Sequence, residues 1–147
     1  MNEPAPAPTI MSVALERVDE AFHFVATGTA GVAIHIDGAT DIGGHNAGAR
    51  PMELLLMGLA SCSAIDVIVI LNKQKQVIDD FTIQVRGERE TGAVPAPFTA
   101  IHIEYHLRGQ LDEAKVRRAI DLSMDKYCSA TAQFRPSASI TWSLVLA

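Results

Sequence analysis

Two thiols are the most reactive side chains available to this chain of 147 residues, Cys62 and Cys128, and there are no others. An ionised thiol is a nucleophile: it can attack a peroxide oxygen to become a sulfenic acid, which a second thiol then captures as a disulfide. In a reducing compartment a reversible pair of this kind is more often catalytic or redox-sensing than structural. Cysteine is also among the most buried residue types and serves as a small hydrophobe, so spacing alone leaves inert core open as the other reading of both residues. Asp66 stands one helical turn after Cys62. There it can orient a partner group, raise the thiol pKa by repulsion, or act only as a structural acceptor. Arg50, in the loop before Cys62, is the basic residue best placed by sequence to approach it.

Other residue types suggest chemistry less strongly. His102, Glu104 and His106 alternate on one strand face, a spacing from which a metal site can start, although such a row is more often the solvated side of an antiparallel sheet. No metal is therefore expected. His45 and Asn46 sit in a glycine-rich loop, either touching a ligand or simply exposed. That loop, GGHNAG, lacks the lysine and hydroxyl residue of a phosphate cradle.

The elements that must position the thiols are legible from hydrophobic period. Pro51 to about Lys73, PMELLLMGLASCSAIDVIVILNK, is apolar almost all the way round a helical wheel and built mostly of good helix formers. Its longest uncharged run, Leu54 to Ile65, falls short of the ~18 residues a membrane span needs, so a central core helix is expected. A kink near Gly58 to Ser61 would place Cys62 at the start of a second helical segment, where the dipole lowers a thiol pKa; a straight helix would not. Before the helix, Ser12 to Val18, Phe22 to Ala26 and Val32 to Ile36 read as a three-stranded antiparallel meander. After it, Phe81 to Arg86 and Ile101 to Arg108 alternate as strands, and Ile140 to Leu146 as a last one. Asp112 opens an amphipathic helix to about Tyr127, on which Val116, Ile120, Met124 and Cys128 recur every fourth residue.

This order predicts an α+β fold with antiparallel sheet wrapped around a long buried helix and one partner helix. One domain is expected over residues 11–147, preceded by a flexible Pro-Ala tail over residues 1–10. An all-round apolar helix needs more cover than one small sheet and one helix provide, which points to an intertwined homodimer. A net charge of −5 with no basic run argues against nucleic acid. The first ten residues lack the basic and apolar regions of a signal peptide, so a cytoplasmic location is expected, with no membrane partner.

Arg50 to Val67, RPMELLLMGLASCSAIDV, resembles the first cysteine motif of the OsmC/Ohr superfamily, and Ala119 to Ser129, AIDLSMDKYCS, resembles its second, in the form of the YhfA-like branch. The strand order resembles that family from about residue 12 onward. The resemblance implies an intertwined dimer with sites at the subunit interface. It also implies a thiol-dependent peroxidase that reduces organic hydroperoxides without metal, haem or flavin. Cys62 matches the attacking position and Cys128 the resolving one, and the disulfide they form is reset by an external dithiol. One departure weakens the match: the peroxidase branches carry a glutamate ten positions before the reactive cysteine, and here that residue is Met52. Glu53 stands about 180° from Cys62 round a regular helix, against about 80° for Met52. No residue of the N-terminal third, Arg17 included, matches the family's catalytic arginine convincingly. Two other functions follow if peroxide selectivity is absent: general thiol–disulfide or persulfide exchange, or a non-catalytic dimer that binds an apolar ligand beside the central helix.

Overall fold

The computed structural model describes all residues, Met1–Ala147, which gather into two compact units, Met1–Leu54 and Leu55–Ala147. In the first unit, strands β1 (Ala14–Arg17), β2 (Phe24–Thr27) and β3 (Ala33–Ile36) form the expected antiparallel meander. The turn between β1 and β2 is held by Asp19, whose Oδ1 accepts the N–H groups of Ala21 at 2.9 Å and His23 at 3.1 Å. The glycine-rich segment after β3 is compact and ordered around a single buried carboxylate. Asp37, 1 % exposed, accepts the N–H groups of Gly38 at 2.8 Å, His45 at 2.9 Å and Ala47 at 3.1 Å. Gly48 is required there, because a Cβ would lie 2.3 Å from the His35 carbonyl.

Helix α1 runs unbroken over Pro51–Lys73. By length and composition it could cross a bilayer. In the second unit it buries one face, Leu59, Ser63, Val67 and Leu71, one residue per turn, and leaves Leu55, Met57, Ile65, Ile68 and Val69 exposed, so the helix expected to be buried all round is covered on one side. The sheet beneath it contains β4 (Val77–Arg89), β5 (Phe98–Gln110) and β6 (Ser139–Leu146), with β5 central. From β5, Ile101, Ile103, Tyr105 and Leu107 all point into the core, while the alternate residues face outward. Gly109 sits at φ 150° opposite the shift in register between Ile78 and Asp80, where a Cβ would strike the Val77 carbonyl at 2.1 Å.

The sheets are antiparallel as expected with one correction: β5 and β6 pair in parallel. Neighbouring parallel strands need a long crossover, and the helical segment between them supplies it. That segment departs from one regular helix. Helix α2 (Glu113–Leu122) starts at the Asp112 N-cap, which accepts the Lys115 N–H at 3.0 Å. It then widens into a π-turn over Ser123–Tyr127, breaks at Cys128 in an extended conformation, and restarts as α3 (Ser129–Phe134). The fourfold spacing of Val116, Ile120, Met124 and Cys128 keeps all four buried, but the last of them stands after the helix has changed register. Arg117 joins α2 to the sheet by lying over the Trp142 ring, 5.8 Å from its centre.

Candidate functional site

The structure brings the two thiols together. Both are free, Cys62 half-buried on α1 and Cys128 4 % exposed between the π-turn and α3. Burial pushes the Cys128 thiol up. The Thr131 side chain and backbone oppose that rise, and the neighbouring Cys62 adds to it. Cys128 caps the first turn of α3, its Sγ accepting the Thr131 N–H at 3.3 Å. Cys62 stands at no helix end: α1 continues unbroken through it, and Ser61 bonds back to the Met57 carbonyl at 2.7 Å. The pair therefore contains one more accessible sulfur and one desolvated sulfur held as a neutral thiol.

Beside the pair runs a chain of polar groups. Tyr105 OH lies 2.6 Å from Ser63 Oγ, Ser63 Oγ lies 2.9 Å from Ser123 Oγ, and Ser123 donates to Asp66 Oδ2 at 3.0 Å. Ser63, Tyr105 and Ser123 are all fully buried. A carboxylate only accepts, so Asp66 accepts the hydrogen bond from the Ser123 hydroxyl, Ser123 accepts from Ser63, and Ser63 accepts from Tyr105. Every hydroxyl then points the same way. Burial, against the opposing hydrogen bond to Ser63, pushes the Tyr105 phenol up to about 12, with the charges of Cys128 and Asp66 adding to the rise. Tyr105 is further held by Phe81 and Trp142, each with its ring centre 6.3 Å away.

Asp66 also borders a cavity of ≈ 410 Å³ with Val69, Ile70, Lys73, Gln74, Leu122 and Tyr127. Its size falls within the ~300–1,000 Å³ of small-molecule sites. Gln74 Oε1 on this lining is buried without a hydrogen-bond partner in the chain.

The remaining residues singled out by sequence have other surroundings. Arg50 donates to the Gly48 carbonyl at 3.3 Å and to Asn46 Oδ1 at 2.6 Å, within its own loop. Met52 is the second residue of α1. His102 engages Thr141 at 2.7 Å and Ser143 at 2.9 Å with its two ring nitrogens, and His106 pairs with Glu104, an arrangement of the outer sheet face. His45 lies 3.4 Å from Asp19 Oδ2. Sequence reasoning missed Ser63, Tyr105 and Ser123 as a group. The signal was present: Ser63 interrupts the row Leu59, Val67, Leu71, and Tyr105 interrupts the inward row of β5, each placing a hydroxyl where only apolar atoms are expected.

Known proteins resemble this chain in sequence and in fold. The family model described as OsmC-like protein matches residues 44–143. Protein YhfA of Escherichia coli strain K12 is 42 % identical over 94 residues, covering 63 % of this chain and 69 % of that protein. The crystal structure of a hypothetical protein from Aquifex aeolicus VF5 is 33 % identical, with a TM-score of 0.79 over 95 % of this chain and 99 % of the other. An organic hydroperoxide resistance protein OsmC from Legionella pneumophila shares the fold at 15 % identity, with a TM-score of 0.69 over 95 % and 98 % of the two chains.

Proposed function

The chain belongs to the OsmC-like family, and on that premise we propose that it is a thiol-dependent peroxidase acting on organic hydroperoxides. The observation that carries this reading is the neighbouring pair of free thiols with unequal surroundings, Cys62 half-buried and Cys128 buried and held protonated. The Cys62 thiolate attacks the terminal peroxide oxygen; the O–O bond breaks, the alkoxide takes a proton and leaves as the alcohol, and Cys62 becomes a sulfenic acid. The Cys128 sulfur then displaces hydroxide from Cys62, its own proton completing a water molecule, and the disulfide closes. An external dithiol restores both thiols by exchange. No metal or organic cofactor takes part. Asp66, one turn after Cys62, belongs to the supporting structure through its bond to Ser123.

The working unit in this reading is a cytoplasmic homodimer. Ile65, Ile68 and Val69 on α1 stay exposed on one copy, Ile65 by 62 %, beside the helical turn that carries Cys62. A second copy covers such a face and dries the thiol pair. Analytical ultracentrifugation checks it, a monomer at micromolar concentration being the contrary result.

The chemical test is to titrate reduced protein with cumene hydroperoxide and count free thiols by mass spectrometry. Both are lost from the unaltered protein, the single remaining thiol of Cys62→Ser survives, and Cys128→Ser accumulates a sulfenic acid that a dimedone reagent traps. Thiols that survive the titration overturn the proposal. A second reading, general thiol–disulfide exchange, is favoured by Arg50 being engaged within its own loop and by Met52 in place of the acid. It predicts that a small disulfide outcompetes the hydroperoxide in the same titration.

A further inference from the structure

Ser123 joins the two cysteine-bearing segments through bonds of its side chain and of its backbone. Its hydroxyl donates to Asp66 at 3.0 Å and meets Ser63 at 2.9 Å; these two residues lie on α1, one turn and one position after Cys62 respectively. Its carbonyl accepts the N–H of Cys128 at 2.8 Å, the bond that closes the π-turn. A regular helix would instead give that N–H to the Met124 carbonyl, four residues back. Here the Met124 carbonyl is occupied from outside the turn: Arg135, just beyond α3, donates to it at 3.0 Å and reaches Asp125 at 3.4 Å. The π-turn is thus held from two sides, at Ser123 by α1 and at Met124 by Arg135. Such insertions are rare in helices and concentrate at functional sites.

We infer that Ser123 is a positioning residue for the thiol pair, clamping the Cys128 turn to the α1 turn of Cys62 so that one sulfur stands at high effective concentration toward the other. The inference rests on the pair working as a reversible dithiol. With the hydroxyl removed, Ser63 and Asp66 no longer hold the turn. Cys128 then shifts toward the register in which its N–H bonds the Met124 carbonyl, away from Cys62. Arg135 acts in the same direction by keeping that carbonyl occupied.

The test measures the thiol–disulfide equilibrium of the folded protein in glutathione buffers. In the first step the Cys62 thiolate attacks oxidised glutathione and releases one glutathione thiolate. In the second the Cys128 thiolate attacks the mixed disulfide and releases another; the two cysteine protons end on the two glutathiones. Ser123→Ala lowers the equilibrium constant for intramolecular disulfide formation by about tenfold or more, the scale on which lost orientation acts, while Ser123→Thr stays within about threefold of the unaltered protein. Arg135→Leu lowers it in the same direction from a different element. A folded Ser123→Ala protein with an unchanged constant overturns the inference. If that variant does not fold, Ser63→Ala and Arg135→Leu decide in its place, and unchanged constants in both overturn it equally. The rate at which hydroperoxide consumes Cys62 is measured separately in a Cys128→Ser background. No peroxide enters the glutathione measurement, so a protein inert to hydroperoxide removes the peroxidase reading and leaves the clamp standing.

Discussion

The two units of the chain each contain a buried polar centre built around an aspartate, and the two centres are made differently. Asp37 is satisfied by backbone N–H groups from within ten residues of itself, and all of them belong to one loop. Asp66 heads a row of side chains drawn from α1, β5 and the π-turn, with partners as far as 60 residues apart in sequence. The first centre shapes a segment and requires nothing else. The second ties together the elements that carry Cys62 and Cys128, so its integrity and the geometry of the thiols are one problem.

The largest expected effect sets the thiols themselves against everything around them: Cys62→Ser abolishes hydroperoxide-dependent thiol loss altogether, whereas Asp37→Ala leaves it in place while the loop over residues 38–49 becomes sensitive to protease. Loss of peroxide reactivity in a folded Asp37→Ala protein would erase the distinction between the centres. Next, Ser63→Ala strands the Tyr105 hydroxyl and one side of Ser123 in a fully buried site, a loss of about 1–3 kcal/mol by denaturant unfolding. Tyr105→Phe removes only the end of the row and costs about 1 kcal/mol. A Phe variant less stable than the Ala variant would mean that the row is not organised from Asp66.

Two titrations sharpen the contrast. Tyr105 remains a neutral phenol in the fold up to about 12, while an unfolded tyrosine ionises near the ordinary value of 10.0. Stability therefore declines as pH rises from that ordinary value toward the folded one. An absorbance change at 295 nm centred near 12, absent in Tyr105→Phe, checks this. The Asp37 carboxyl lies below its ordinary 3.8, held there first by the His45 N–H, with burial opposing and the N–H groups of Ala47 and Gly38 assisting. Its contribution is complete above 3.8 and is lost as pH falls through the lower folded value. Amide exchange at Gly38, His45 and Ala47 accelerates over that range, and NMR at a series of acid pH values measures it. The smallest effect compares the two sulfurs. Alkylation of Cys128 begins at higher pH than that of an ordinary cysteine, as its raised pKa requires, and is slower than at Cys62.

Much of the framework was legible without coordinates because it depends on short-range pattern. Alternation in Ile101, Ile103, Tyr105 and Leu107 announced a half-buried strand, the Asp112 cap announced α2, and the apolar run from Pro51 to Lys73 announced a long helix. The parallel pairing of β5 with β6 was not legible, since strand direction depends on how the crossover closes. The break at Cys128 was hidden for a related reason: a fourfold apolar spacing is satisfied by a regular helix and equally by one that widens at Ser123 and restarts.

The amino-acid order by itself set Cys62 in the central apolar helix and Cys128 at the end of a fourfold apolar spacing, because hydrophobic pattern is local. Only the tertiary structure decided that Cys62 and Cys128 are neighbours, and that Ser63, Tyr105, Ser123 and Asp66 form one directed row beside them. Such contacts join residues about 40 to 60 positions apart, and no local preference encodes a distance between elements until the core that packs them has formed.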